Sequence, residues 1–225
     1  MIPLHDLERR SAPPVVTRVI LLVNVLVWLY VISLLDRPGA LRGFYDRWSF
    51  DPVELSAALA SGHVTVVRTL LPLVTHQFLH AGWLHLLGNL LYLWIFGDNV
   101  EDRLGSATFL VLYLVSGILA AVGQTLVSPA AMVGASGAIA GVLGAYVVLS
   151  PAARVRTLVF LGIFFTVVTL PAIVVIGEWL VIQVLAGLEA MRIAPHPATE
   201  HVAYVAHVAG FAAGIVLVRL LPRRH

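Results

Sequence analysis

No cysteine occurs among the 225 residues. Its absence excludes disulfides, a thiolate nucleophile, and cysteine-ligated zinc or iron–sulfur centres. Lysine is absent too, so all 14 basic residues are arginine. Charge of either sign is scarce. Only 12% of the chain is charged and 60% is hydrophobic, whereas a soluble domain carries about a quarter charged residues. So little polar surface cannot coat a water-soluble globule of this size. The arginines lift the pI to about 9.3. They are scattered through loops and ends, with no basic stripe or interleaved aromatics, so nucleic acid is not an expected partner.

Long apolar runs fill the space that charge leaves. Several approach or exceed the roughly 18 to 20 residues that cross a bilayer as a helix. Short alternating strands of the barrel type do not repeat. The expected class is an all-α polytopic membrane protein with the lipid bilayer as its solvent. Residues 1–17 carry Asp6, Glu8, Arg9, Arg10, Pro13 and Pro14. They read as a short polar lead, not as a cleavable signal peptide.

Six spans are expected in one membrane domain, residues 18–221, at about 18–35, 83–96, 106–127, 136–150, 170–188 and 202–221. Residues 222–225 form a basic tail. The connection 36–81 is long and apolar. Within it Val53 to Ser61 reads as a short helix, with Asp51 as a possible N-cap and Pro52 in its first turn. Residues 97–105 read as a charged turn, and 158–168 as an interfacial or partly buried lead-in to the fifth span. Six spans put both ends on one side. If that side is the cytoplasm, nine of the 14 arginines face inward, in keeping with the positive-inside bias. A bacterial inner membrane is the expected location.

This topology starts spans two, four and six from the outer side. His85 and Asn89, Ser136 and His207 then lie near the N-terminal ends of those spans, at one depth. Burying such groups in hydrocarbon without partners costs several kcal/mol, so their coincidence predicts a polar, watered site. Span four has only about 15 residues, roughly 22 Å against roughly 30 Å of hydrocarbon. Ser136 therefore sits below the outer surface, at the floor of a depression.

A lone serine in a glycine-rich helix is most often packing, and a lone histidine most often makes a structural hydrogen bond. Together, at matched depth, they suggest chemistry. A serine hydroxyl becomes a nucleophile when an adjacent base takes its proton, and His207 is the candidate base. Gly137 on span four and the Gly210/Gly214 pair on span six form small-residue faces that let helices approach closely. Acyl transfer also needs donors toward the developing oxyanion. His85 and Asn89, spaced i, i+4, share one helix face, and the Ser136 N–H at a helix start is a third donor. No acid is placed to orient His207, so a dyad is expected, with the ring held by helix packing. Glu178 stays unassigned. Glu101 and Arg103 are expected to tie down their turn with backbone and with each other. His76, His80 and His85 lack the two-histidine helical zinc spacing, so no metal is expected.

These residues resemble the rhomboid family of intramembrane serine proteases. The motifs are Gly134-Ala135-Ser136-Gly137, Ala206-His207-Val208-Ala209-Gly210 with Gly214 beyond, His85-Leu86-Leu87-Gly88-Asn89, and Glu101-Asp102-Arg103-Leu104-Gly105. The resemblance implies a six-helix core, a Ser136–His207 dyad, and an oxyanion hole from His85, Asn89 and the Ser136 N–H. It implies cleavage of membrane-anchored protein substrates, entering beside span five, without a cofactor. Two positions depart from the family. Ala140 stands where some members stack an aromatic on the histidine, and Val67-Arg68 where many bacterial members carry Trp-Arg. Inactive relatives lack the dyad, so an active enzyme is expected over an idle member that binds or escorts membrane proteins. The oligomeric state is not indicated.

Overall fold

The computed structural model describes residues 1–162, 164–192 and 203–224. Of the expected connection after span five, residues 189–201, the first four are helix, because α9 continues to Arg192, and residues 193–201 lie outside the described residues, as does the first residue of span six. Helix α1 is Val15–Ser33, and α2 (Pro38–Trp48) and α3 (Pro52–Ser61) follow in the long connection. A short π-helical turn, Val66–Leu70, leads into α4, Pro72–Thr75. Then come α5 (Trp83–Tyr92), α6 (Asp98–Leu104), α7 (Ser106–Thr125), α8 (Ser136–Leu149), α9 (Ala172–Arg192) and α10 (Tyr204–Leu220). Among the described residues, α1, α7 and α9 are long and apolar enough to cross a membrane. A bent pair reaching to Leu104 makes a fourth candidate, and α8 and α10 are shorter apolar helices.

The core sits around α8. Every residue from Gly137 to Tyr146 is buried, as expected of a helix that is apolar all round. The outer faces of α1 and α9 instead expose Leu22, Leu26, Ile182 and Leu185. Those are lipid-facing stripes, and the protein is an integral, mostly helical membrane protein. Between helices in lipid the hydrophobic effect drives little, so packing must come from close backbone approach. Here α8 and α10 supply it. A Cβ built on Gly210 would strike the Gly137 carbonyl, and one on Gly144 the Phe211 carbonyl.

Three stretches differ from the sequence expectations. Residues 98–104 are helix, not turn. A π-helical segment, Leu93–Gly97, joins α5 to α6 without a break, and Gly105 at φ 78° ends the helix. Strands β2 (Arg154–Leu161) and β3 (Phe164–Pro171) pair as an antiparallel hairpin, and Gly162 follows β2 at φ 67°. Helix α9 therefore starts at Ala172 and not at Leu170. The hairpin is rich in β-branched and aromatic residues, which favour a pleated surface. Finally, the polar lead opens with a strand, β1 (Ile2–Asp6), antiparallel to β2, giving the order β1-β2-β3. The base of the hairpin is closed by Ala172 N–H donating to Ala153 O at 2.8 Å.

Asp51 caps α3. Its side chain accepts from Val53 N–H at 2.7 Å and Glu54 N–H at 3.2 Å, and Pro52 takes the first turn. The long connection also braces the backbone that enters α8. Phe50 and Met132 exchange two backbone hydrogen bonds, and Gly134 N–H donates to His76 O at 2.9 Å. Non-helical backbone at membrane depth is tolerated where protein satisfies it, and this segment is satisfied in that way.

Candidate active site

Ser136 is the first residue of α8, and His207 lies one turn into α10. The glycine contacts between these helices draw the two side chains together. His207 Nε2 stands 2.7 Å from Ser136 Oγ. The other ring nitrogen, Nδ1, stands 2.6 Å from Gln183 Oε1 on α9. An amide oxygen only accepts, so this contact suits a ring protonated on Nδ1, whose Nε2 would then present its lone pair to the hydroxyl. His207 is 7% exposed. Its ring lies 5.8 Å from the Trp179 ring and 6.5 Å from that of Tyr204. The start of α10 is fixed by Ala206 N–H donating to Gln124 Oε1 at 3.0 Å.

Gln183, Trp179 and Gln124 were not foreseen from the sequence. The expectation that helix packing alone holds the His207 ring is corrected, because α9 supplies an acceptor and an aromatic face. One signal was available. Gln183 is the single amide in an otherwise apolar run of α9.

His85 and Asn89 share the inward face of α5. His85 Nε2 would be 2.6 Å from a Cβ on Gly134, and Ser136 Oγ 3.6 Å from that same point. Gly134, at φ 128°, is thus required twice, for its backbone conformation and for the room it leaves the imidazole. His80 packs edge-on against His85 with centroids 5.1 Å apart. Asn89 is buried, and its Nδ2 has no hydrogen-bond partner among the described residues. Helix α8 begins without a side-chain cap, so its first N–H groups donate to no capping side chain at the helix start. His85, Asn89, Ser136, Trp179 and His207 line one cavity of about 830 Å³, within the range of ligand sites.

Glu101 and Arg103 are remote from this cavity, and they do not pair with each other. Glu101 is 3% exposed and accepts from Val16 N–H (2.9 Å), Thr17 N–H (2.7 Å), Thr17 Oγ1 (2.8 Å) and Ser106 Oγ (2.6 Å). It is the anionic cap of α1, where the helix dipole favours it. Both of its oxygens are occupied there, so Arg103 turns outward to Glu8 at 3.3 Å. The adjacent Asp102 accepts from Ser11 and Ala12, fixing the lead. Glu178 lies 3.1 Å from the amino nitrogen of Met1.

Residues 67–224 match the Rhomboid domain family model. A 71-residue segment is 43% identical to the rhomboid protease GlpG of Yersinia pestis (strain Pestoides F), covering 32% of this chain and 26% of that protein. An 80-residue segment is 48% identical to the rhomboid protease GluP of Bacillus subtilis (strain 168), covering 35% of this chain and 16% of that protein. The chain thus spans about a quarter or less of the length of these relatives. The family model covers well over half of the chain and includes every residue of the cavity, and on that ground the chain belongs to the rhomboid family.

Proposed function

We propose that this protein is an intramembrane serine endopeptidase that cleaves transmembrane or membrane-anchored proteins. The observation that carries the reading is the 2.7 Å contact between His207 Nε2 and Ser136 Oγ on the wall of the cavity of about 830 Å³. As Oγ attacks the scissile carbonyl carbon, its proton passes to Nε2. The imidazolium then returns that proton to the leaving amine nitrogen, and an ester on Ser136 remains. Water, with Nε2 again as base, hydrolyses the ester. The oxyanion of each step is received by His85, by Asn89 Nδ2 and by the N–H groups at the start of α8. The names of the relatives support the same activity.

The domain reading is one membrane unit, residues 18–221, with six spans and both ends in the cytoplasm of a bacterial inner membrane. The apolar outer faces of α1 and α9 support it. The intact Ser136–His207 contact favours an active protease over an idle binding or escort factor.

The test is labelling of the purified full chain with a fluorophosphonate in detergent, together with cleavage of a transmembrane reporter. Ser136→Ala and His207→Ala are each expected to abolish cleavage while keeping the wild-type unfolding temperature. A folded wild-type protein that forms no Ser136 adduct would overturn the reading.

A further inference from the structure

We propose that Gln183 is a positioning residue that selects the working tautomer of His207. The inference rests on the proteolytic reading above and adds a third member to the pair.

A neutral imidazole carries one N–H, and which nitrogen holds it is set by the partner of the other. The proton on Nε2 would face the serine hydroxyl with a donor and leave no base. The amide oxygen of Gln183 at 2.6 Å from Nδ1 removes that choice. The ring contacts of His207 with Trp179 and Tyr204 fix its plane, but they do not distinguish one nitrogen from the other. Gln183 is the only one of these contacts that does.

The placement on α9 is specific. Val181, Ile182, Val184 and Leu185 are 55%, 51%, 39% and 61% exposed, so the helix turns these side chains to lipid. Gln183 is turned the other way, onto the histidine. Trp179 lies i−4 from Gln183, on the same helix face. One face of α9 therefore presents both an aromatic platform and an acceptor to one ring. A neutral amide suits this depth, because a carboxylate there would bear a far larger desolvation cost. During catalysis Gln183 takes no proton. The Nδ1–H···Oε1 bond persists while Nε2 gains the serine proton and passes it to the leaving amine, and it strengthens while the ring is cationic.

The experiment compares Gln183→Leu, which removes the acceptor at similar size, with Gln183→Glu, whose carboxyl stays neutral at this depth and keeps a carbonyl acceptor. Cleavage of the transmembrane reporter by the full chain gives kcat and KM separately. Loss of correct tautomer control lowers kcat by roughly tenfold to a thousandfold, less than the ~10⁴ seen when a triad carboxylate becomes an amide. Gln183→Leu is expected to fall in that range with KM nearly unchanged, and Gln183→Glu to remain within about tenfold of wild type. Wild-type kcat in Gln183→Leu would overturn the proposal, as would equal losses in both variants.

A second measurement needs no altered Gln183. The ¹⁵N imidazole resonances that disappear in His207→Ala report the tautomer of the wild-type protein directly. Protonated Nδ1 with unprotonated Nε2 is expected, and the reverse would overturn the inference. This readout is independent of proteolysis. A missing fluorophosphonate adduct with Nδ1 protonated would sink the protease reading alone.

Discussion

A methyl group on Gly214 would run into the carbonyl oxygen of Gly141. The blocked atom is backbone of the buried helix α8, so no side chain can swing aside. Gly214→Ala is therefore expected to destabilise the protein by about 1–3 kcal/mol or more, the cost of overpacking a tight core. It should also part α8 from α10 and slow labelling of Ser136. Thermal unfolding in detergent and fluorophosphonate labelling check both effects. Gly39→Ala, where a Cβ meets nothing within 4 Å, is the control and should change neither.

Asn89 offers a different kind of test. Its Nδ2 is buried without a partner among the described residues, so truncation breaks no bond of the resting protein. Asn89→Ala is expected to leave the unfolding temperature nearly unchanged. It should lower kcat for a transmembrane reporter by on the order of tens to a thousandfold, as for loss of one oxyanion donor. A large loss of stability with normal turnover would assign Asn89 to the scaffold instead.

These two predictions draw on what the sequence made legible. The start of the short fourth span at Ser136 is legible, since α8 runs Ser136–Leu149, and the small residues Gly137, Gly210 and Gly214 announce the close approach of α8 and α10. What stayed illegible depended on rotation about a helix axis. Gln183 sits among lipid-facing residues, and only the azimuth of α9 decides whether it meets water, lipid or His207. The hairpin was missed for another reason. Residues 157–171 are apolar enough to look membranous, and span counting overrode their β-branched and aromatic content, although Gly162 marked a turn. The strand Ile2–Asp6 is illegible alone, because its partner β2 reads as membranous from its composition.

Glu101 predicts a stability defect away from the cavity. Its carboxylate receives four hydrogen bonds at the start of α1 and from Ser106. Hydrogen bonds to a charged group contribute about 1.5–3 kcal/mol each, and they overlap here. Glu101→Ala should cost about 3 kcal/mol in total, with Glu101→Gln milder because an acceptor oxygen remains. Unfolding in detergent measures both. At low temperature the surviving folded fraction of each variant should still label at Ser136.

Asp6 makes the docking of β1 depend on pH. Burial pushes its carboxyl above the ordinary range, against the opposing hydrogen bonds from Tyr146, Glu8 N–H and Asn99. Glu8 and Asp98 lie nearby, and Asp98 is paired with Arg10 at 3.0 Å. A raised carboxyl favours the neutral form when folded, so its stabilising share is complete below the ordinary value of about 4 and is lost as pH rises through the raised one. Hydrogen exchange of residues 2–6, corrected for its intrinsic rate, should show the strand opening more easily at pH 8 than at pH 4. Asp6→Asn should flatten that dependence.

The junction of β3 with α9 has a mechanical consequence. Pro171 ends the strand, Ala172 starts the helix, and Ala172 N–H is fastened to Ala153 O. The N-terminal end of α9 is thus a fulcrum, and Gln183 rides on the lever roughly 16 Å along it. A tilt of only about 5° moves that point by about 1.4 Å. Directed along the Nδ1···Oε1 line away from His207, that shift opens the 2.6 Å contact to about 4 Å, beyond hydrogen-bond reach. A small swing of one lipid-facing helix is therefore enough to unset the base, and returning it resets the base without any change in α8 or α10.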